Sequence, residues 1–282
     1  MSLTVMSVVL LAALLHASWN FLVKRADDKF LSMSAMVIGH APFALLVLCF
    51  SPWPAQEAWI WMVLSATLHA GYQLFLLNAY RFGDLSQVYP LARGMGPLLV
   101  TVVSVTLLGA DLQGLELLAI GLIITGIVTL GHLPRTPDER RAVWLALATG
   151  VFIAGYSLSD GMGARLSGTA FGYYSTLALL NAVCWSLYMQ RVRPGLLRRL
   201  LRTDWKLLLA AGGASYTAYV LVIWAFTRAP LPLVTALRET SMIFALLLGV
   251  LVLKERMTYW KLLSAGLTLL GVLLLRAGSL LT

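Results

Sequence analysis

Two arginines lie inside long apolar stretches of the sequence. Arg93 interrupts residues 85–110, and Arg238, followed at once by Glu239, interrupts residues 229–253. Ionisable groups within a membrane span are costly unless they are paired or face water, so each is a candidate for function. A guanidinium is an always-charged, planar donor that suits a carboxylate, phosphate or phosphonate. The sequence therefore predicts that Arg93 and Arg238 hold the acidic group of a ligand.

Two structural alternatives compete with ligand binding at these arginines. Arg93 could pair with Glu239, or each arginine could extend its charged end to the nearer membrane interface. Pairing and ligand contact are compatible with each other. Because Arg238 and Glu239 are adjacent in a helix, they should point about 100° apart and not face one spot.

The sequence around Arg93 predicts an irregular helix. Residues 89–97 read Tyr-Pro-Leu-Ala-Arg-Gly-Met-Gly-Pro. Two prolines and two glycines should loosen or break a helix and free backbone groups to line a cavity. Tyr89 is expected to shape that cavity.

Two segments carry the same polar stripe. A histidine, an aromatic residue and an amide fall at i, i+3 and i+4, hence on one helix face: His16, Trp19 and Asn20, then His69, Tyr72 and Gln73. Such a stripe lines a polar cavity or holds neighbouring helices together by hydrogen bonds. Tyr216 and Tyr219 add rings at helical spacing, for core packing or an aromatic cage around a cation.

Asp160 and Glu239 are the acids clearly inside apolar stretches, and either could carry a proton during transport. The sequence has no phosphate-binding glycine loop and none of the common hydrolase motifs. We expect neither a cofactor nor a metal, and not an enzyme. A membrane enzyme or scaffold acting on lipid headgroups is the alternative from another class.

The composition requires a lipid environment. Of the 282 residues 60% are hydrophobic and 12% are charged, against about 25% charged in soluble domains. A span needs about 20 apolar residues. The sequence predicts an all-α integral membrane protein with ten transmembrane helices, at residues 1–23, 30–56, 58–80, 85–110, 117–134, 142–159, 166–190, 207–227, 229–253 and 262–275.

A shift of 145 residues superposes the two halves. It places Arg93 on Arg238, Gly121 on Gly266, and Gly126 on Gly271. We expect the glycines to permit close helix packing. The predicted organisation is a first repeat at 1–131, a linker at 132–141 and a second repeat at 142–282. Five spans per repeat make the second repeat inverted, an arrangement that places transporter substrate sites near the midplane.

The basic residues are distributed unevenly among the connections. The odd-numbered connections hold sixteen Lys and Arg, and the even-numbered ones with the C-terminus hold three. The positive-inside rule then places both termini outside. The net charge of +9 predicts contact with anionic lipid headgroups rather than nucleic acid. Because one chain supplies both repeats, we expect that a monomer can function, with an oligomer as the open alternative.

Two short motifs carry a resemblance to a known family. They are Ala-Ser-Trp-Asn-Phe at residues 17–21 and Leu-Val-Leu-Lys-Glu-Arg-Met-Thr at 251–258, with Gly266 and Gly271 after it. With them the chain resembles the drug/metabolite transporter superfamily, in its ten-helix class of two EamA-type repeats. The start at 16–20 resembles, more faintly, a subgroup associated with phosphonate utilisation. In the first half, the equivalent turn at residues 108–113 lacks the Glu-Arg pair that the second half has at 255–256. Members are often drawn with cytoplasmic termini, opposite to the charge count.

The resemblance implies alternating-access transport of small organic metabolites, here expected in the bacterial inner (plasma) membrane. Our prediction is a secondary transporter or facilitator of an anionic or zwitterionic metabolite. Arg93 and Arg238 would hold its acidic group, in a cavity shaped by Tyr89, His16, Asn20, His69, Gln73 and Tyr216. The alternative is an organic cation, choline-like or a polyamine, in an aromatic cage with Glu239 or Asp160 as counter-charge.

Overall fold

The computed structural model describes residues 1–24, 28–82, 85–129, 136–253 and 258–281. Within these ranges all regular structure is helical, with a short 3₁₀ turn at Gln56–Ala58. The α-helices are α1 (Leu3–Lys24), α2 (Lys29–Ile38), α3 (His40–Leu48), α4 (Trp59–Phe82), α5 (Leu85–Thr106), α6 (Gly114–Val128), α7 (Pro137–Leu166), α8 (Ala170–Val192), α9 (Leu196–Arg202), α10 (Trp205–Phe226), α11 (Leu231–Arg238), α12 (Ser241–Leu253) and α13 (Tyr259–Leu281).

Seven helical stretches in the described ranges are long and apolar enough to cross a membrane. Two of them join consecutive helices, α2 with α3 and α11 with α12. The predicted spans at 85–110, 117–134 and 166–190 overlap α5, α6 and α8, which are not among the seven. The all-helical membrane fold is therefore confirmed, and the count of ten spans stays a prediction.

The helix containing Arg93 differs from its prediction, because α5 is continuous through both prolines and both glycines. The break predicted there is wrong. A Cβ at Gly96 would lie 2.6 Å from Ile153 Cγ2 of α7, and one at Gly94 would lie 3.0 Å from Val128 Cγ2 of α6. The glycines thus allow close helix packing. Prolines are accepted within membrane helices where neighbouring groups satisfy the freed backbone carbonyls.

Helix breaks occur elsewhere, in the middle of two candidate spans. Gly39 separates α2 from α3, and a Cβ there would lie 2.2 Å from the Leu208 carbonyl oxygen of α10. Residues 239–240 separate α11 from α12. At this second break the Glu239 and Thr240 N–H groups donate to carbonyls three residues earlier. Such 3₁₀ geometry inside a helix often marks a hinge or a functional site.

The helix packing repeats between the two halves. A shift of 145 residues relates α1 to α7, α4 to α10 and α6 to α13. Helix α4 packs on α7, and the counterpart pair, α10 on α1, is also formed. Helix α6 packs on its own counterpart α13, as α3 does on α8. The halves therefore pair with one another in a two-fold manner.

Direct contacts between the halves also occur at both ends of the helices. Near the start of α2, Asp28 forms an ion pair with Arg193, which follows α8 (2.5 Å). Burial alone raises the pKa of Asp28, but hydrogen bonds from Leu31 N–H and Arg193 lower it below its ordinary value. At the other end of α8, the Ala55 N–H donates to the Ser167 carbonyl.

The repeated glycines divide into two kinds. A Cβ at Gly126 would lie 2.6 Å from Thr268 Oγ1 of α13, and one at Gly271 would lie 2.7 Å from the Ala119 carbonyl of α6. These two positions permit close packing, as predicted. For Gly121 and Gly266 the prediction is wrong, because no atom of a neighbouring helix among the described residues lies within 4 Å of a Cβ there and both are exposed.

We expect Gly126→Ala and Gly271→Ala to lower the free energy of unfolding by about 1–3 kcal/mol each, because the added methyl group pushes α6 and α13 apart. Thermal unfolding of the detergent-purified protein measures this. Gly121→Ala and Gly266→Ala are matched controls and should unfold at the same temperature or higher, since alanine favours helix by about 1 kcal/mol. Equal loss in all four variants would contradict the packing argument.

Candidate functional site

A buried carboxylate lies between two buried guanidiniums. Arg93 Nε of α5 donates to Glu239 Oε2 at 2.7 Å, and Arg238 Nε lies 3.6 Å from Glu239 Oε1. All three side chains are at most 5% exposed. The pairing of Arg93 with Glu239, set out above as an alternative, is therefore formed. It joins the first half of the chain to the second.

Arg238 and Glu239 are consecutive residues at the end of α11, where residues 239–240 interrupt the helix. Adjacent residues of a continuous helix diverge by about 100°, so Arg238 and Glu239 were expected to face different directions. Glu239 keeps a right-handed helical backbone (φ −70°, ψ −9°), yet Arg238 Nε lies 3.6 Å from Glu239 Oε1. The expectation from helical geometry is therefore corrected, because two long side chains can approach each other although their helix positions diverge.

Arg238 has hydrogen-bonding capacity left over. Its Nε and Nη2 atoms are buried and have no hydrogen-bond acceptor among the described residues. Its Cζ atom lies 5.9 Å from the ring centroid of Tyr219, in cation–π contact. Buried donors without acceptors are rare in native structures and need an explanation. A bound anion or ordered water beside Arg238 would supply the acceptors.

A second buried ionisable group, Asp160 of α7, contacts the hydroxyl end of the same tyrosine. The Tyr219 hydroxyl donates to Asp160 Oδ2 at 2.7 Å, and the Tyr173 hydroxyl donates to Oδ1 at 3.2 Å. The side chain of Asp160 is fully buried. Across the described ranges no lysine or arginine forms an ion pair with it. A carboxylate accepts about four hydrogen bonds, so it can accept more.

Aromatic rings from several helices surround Tyr219. Its ring centroid lies 5.0 Å from that of Tyr174, 5.7 Å from that of His69 and 6.0 Å from that of Tyr156. His69 stacks on Tyr156 at 4.0 Å. Ring faces carry negative charge and attract cations. His69 and Tyr219 are only half-buried, which leaves accessible surface beside the buried charges.

Two further predicted residues belong to this region. Tyr216 hydrogen-bonds with Ser175 (2.6 Å) and packs 5.3 Å from Tyr174. Gln73 is buried, and its Oε1 atom has no hydrogen-bond partner among the described residues. The structure thus brings Arg93, Arg238, Glu239, Asp160, His69 and Tyr216 into one network of contacts between the halves, and Gln73 lies one turn beyond His69 on α4.

The polar side chains of the α1 stripe hydrogen-bond to groups within α1 itself. The Asn20 amide donates to the His16 carbonyl at 2.8 Å, and the Trp19 indole donates to His16 Nδ1 at 3.3 Å. His16 is half-buried and lies within range of the charges of Arg93 and Arg238. The side chain of Tyr89 lies outside the part of the chain that the structure describes, so its role stays a prediction.

Two tyrosines that complete the aromatic cluster, Tyr156 and Tyr174, were not identified from the sequence. Tyr156 precedes Asp160 by four residues and therefore shares its helix face, a spacing that could have identified it. No local pattern points to Tyr174, because its partners lie on α10 and α3. Across the described residues, no group of three or more His, Cys, Asp or Glu side chains is arranged to hold a metal.

We expect Glu239→Gln to lower the free energy of unfolding by about 3–5 kcal/mol, because two buried guanidiniums would lose their shared counter-charge. Thermal unfolding in detergent measures this. The control is Glu57→Gln, which removes an exposed acid and should leave the unfolding temperature unchanged. An unchanged temperature for Glu239→Gln would mean that the arginines do not depend on this carboxylate.

Comparison with known proteins agrees with this architecture. One solved crystal structure superposes with a TM-score of 0.78 over 100% of both chains at 18% identity, a likeness that shows the fold alone. A comparison with curated proteins gives no match. A sequence model of the EamA-like transporter family matches residues 3–131 and 140–277, which together cover nearly the whole chain. The chain therefore belongs to the EamA-like transporter family, within the drug/metabolite transporter superfamily, and is an integral membrane protein that transports small molecules.

Proposed function

We propose that the chain carries a small zwitterionic organic metabolite by alternating access. The observation that supports this most is that a buried base and a buried acid both contact Tyr219, Arg238 through its ring and Asp160 through its hydroxyl. A ligand with an acidic group and an amine could satisfy both at once. In this proposal the substrate lies between the two halves of the chain.

The acidic group of the substrate binds Arg238. This guanidinium retains buried donors without acceptors among the described residues, and its geometry suits a carboxylate, phosphate or phosphonate. Arg93 acts mainly through Glu239, which it fixes beside Arg238. The same region is lined from α1 and α4 by His16, Asn20 and Gln73. The side chain of Tyr89 is assigned a lining role on sequence alone.

The amine of the substrate binds near Asp160. This acid has no lysine or arginine partner among the described residues, while two tyrosine hydroxyls fix its orientation. Tyr156, Tyr174 and His69 present rings around it. A desolvated ammonium gains about 2 kcal/mol from such a ring, in addition to its attraction to the carboxylate.

A second candidate is an organic cation held by Asp160 and the rings alone. The observation in its favour is that Arg93 and Arg238 already share Glu239, which would make them structural. In that case Arg238 would contribute nothing to ligand affinity. Proton coupling at Asp160 or Glu239 is compatible with either substrate.

Transport in this proposal uses ten spans in two inverted repeats that rock against each other. The cluster of Arg93 and Glu239 joins the repeats and is the point about which they would rock. The breaks at Gly39 and at residues 239–240 provide places where the helices can bend. The bacterial inner membrane and the outside placement of both termini also belong to the proposal, on the basis of the charge count.

The proposal is tested with ligands that share one carbon skeleton and differ only in charge. β-Alanine, propanoate and propylamine form one set, and 2-aminoethylphosphonate, ethylphosphonate and ethylamine form the other. We expect one zwitterion to stabilise the wild type against heat more than either singly charged relative, since stabilisation follows ligand affinity. Uptake of that zwitterion into proteoliposomes, recovered chemically unchanged, would separate a carrier from an enzyme.

The variants Arg238→Gln and Asp160→Asn separate the two charges. Arg238→Gln should weaken binding of the zwitterion and the anion alike. Asp160→Asn should weaken the zwitterion at least tenfold, equivalent to about 1.4 kcal/mol, and leave the anion unaffected. Asp111→Asn, an exposed acid, is the control. If propylamine or ethylamine alone binds best and Arg238→Gln has no effect, the cation carrier replaces the zwitterion carrier.

A further inference from the structure

A cavity of about 460 Å³ lies away from the central charges, where α8 meets the short helix α9. It is lined by Gln190, Pro194, Gly195, Leu197, Arg198, Leu201 and Arg202. Gly195 has a φ of +86°, a left-handed conformation that favours glycine. This turn directs α9 away from the axis of α8 and forms one wall of the cavity.

Helix α9 separates three kinds of side chain around its axis. Leu196 and Leu200 are buried against the protein. Leu197 and Leu201 form an apolar stripe that lines the cavity, and Leu201 is 58% exposed. Arg198 and Arg202 lie beside that stripe, one turn apart, and line the cavity too. The cavity therefore has an apolar wall next to a pair of positive charges.

The arginines of this region are used unequally. Arg193 is paired with Asp28, and Arg199 is paired with Asp204. Within the described ranges, Arg198 and Arg202 form no ion pair. The two arginines that face the cavity therefore carry charge that no acid of the described residues balances, and Arg191, outside the cavity, shares this property.

The cavity lies next to the beginning of a candidate membrane span. Helix α10, one of the seven stretches apolar enough to span, begins three residues after α9. Its first residue, Trp205, is 48% exposed, as is common for tryptophan at the membrane–water interface. A helix with leucines and arginines on its outer surface suits that interface.

We infer that this cavity binds an anionic phospholipid, with the phosphate on Arg198 and Arg202 and an acyl chain along Leu197 and Leu201. Charge complementarity selects an anionic headgroup, since basic clusters next to membrane spans attract anionic lipids. The apolar wall selects a lipid over a free anion, because inorganic phosphate would leave Leu197 and Leu201 uncovered. The inference is independent of the substrate proposed above.

The test compares two charge-matched double variants of the full-length protein in a zwitterionic detergent. Arg198→Gln/Arg202→Gln removes the cavity charges, and Arg191→Gln/Arg199→Gln removes two charges from the same region outside the cavity. Binding of phosphatidylglycerol, phosphatidylcholine, water-soluble glycerophosphoglycerol and inorganic phosphate is measured by native mass spectrometry and by thermal stabilisation. Unchanged helical content and elution profile show that both variants fold.

We expect phosphatidylglycerol to bind the wild type and the control variant in preference to the other three ligands. Loss of both cavity charges should weaken its binding about 30-fold, since each basic side chain near an anionic surface contributes about 1 kcal/mol and about 1.4 kcal/mol corresponds to tenfold. Equal losses in the two double variants would overturn the inference, because the cluster as a whole would then attract the lipid. Equal binding of phosphatidylcholine, or equally tight binding of inorganic phosphate, would also overturn it.

Discussion

One carboxylate balances two guanidiniums in the interior of this chain, and that constraint organises the site. Arg93 comes from the first half and Arg238 from the second, at positions related by the 145-residue shift. Neither could remain buried without a counter-charge, and Glu239 contacts both. Glu239 follows Arg238 directly and lies at the interruption between α11 and α12. The contact between the two halves and the break in the helix therefore occur at the same place in the chain.

The interior also holds a second ionisable site apart from this cluster. Two guanidiniums and one carboxylate leave one positive charge in excess, and Asp160 is a buried acid without an ion-pair partner among the described residues. Tyr219 touches both groups, through its ring to Arg238 and through its hydroxyl to Asp160. Since buried opposite charges normally pair, their separation favours a ligand that completes both.

The connection between the halves also bears on movement. The Arg93–Glu239 ion pair lies at the centre, while Asp28 with Arg193, and Ala55 with Ser167, connect the halves at opposite ends of α8. Gly126 and Gly271 hold α6 and α13 in close contact. A rocking motion that keeps the central pair intact would open one end contact at a time. The exposed ion pair at Asp28 is the less costly of these contacts to break, because surface pairs contribute little.

The sequence by itself determined the membrane class, the repeat, the family and the identity of the buried charges. Apolar length, charge depletion and a 145-residue shift can be read directly from the chain. They are informative because lipid disfavours charge inside a span, so each charged residue there is easy to recognise. The tertiary structure decided which charges meet. It kept α5 continuous despite its prolines, because the glycines there pack on α6 and α7, and it broke the counterpart helix at Glu239. It also gathered Tyr156, Tyr174 and Tyr219 from three helices, whose contacts depend on the direction of each helix face and not on any local pattern.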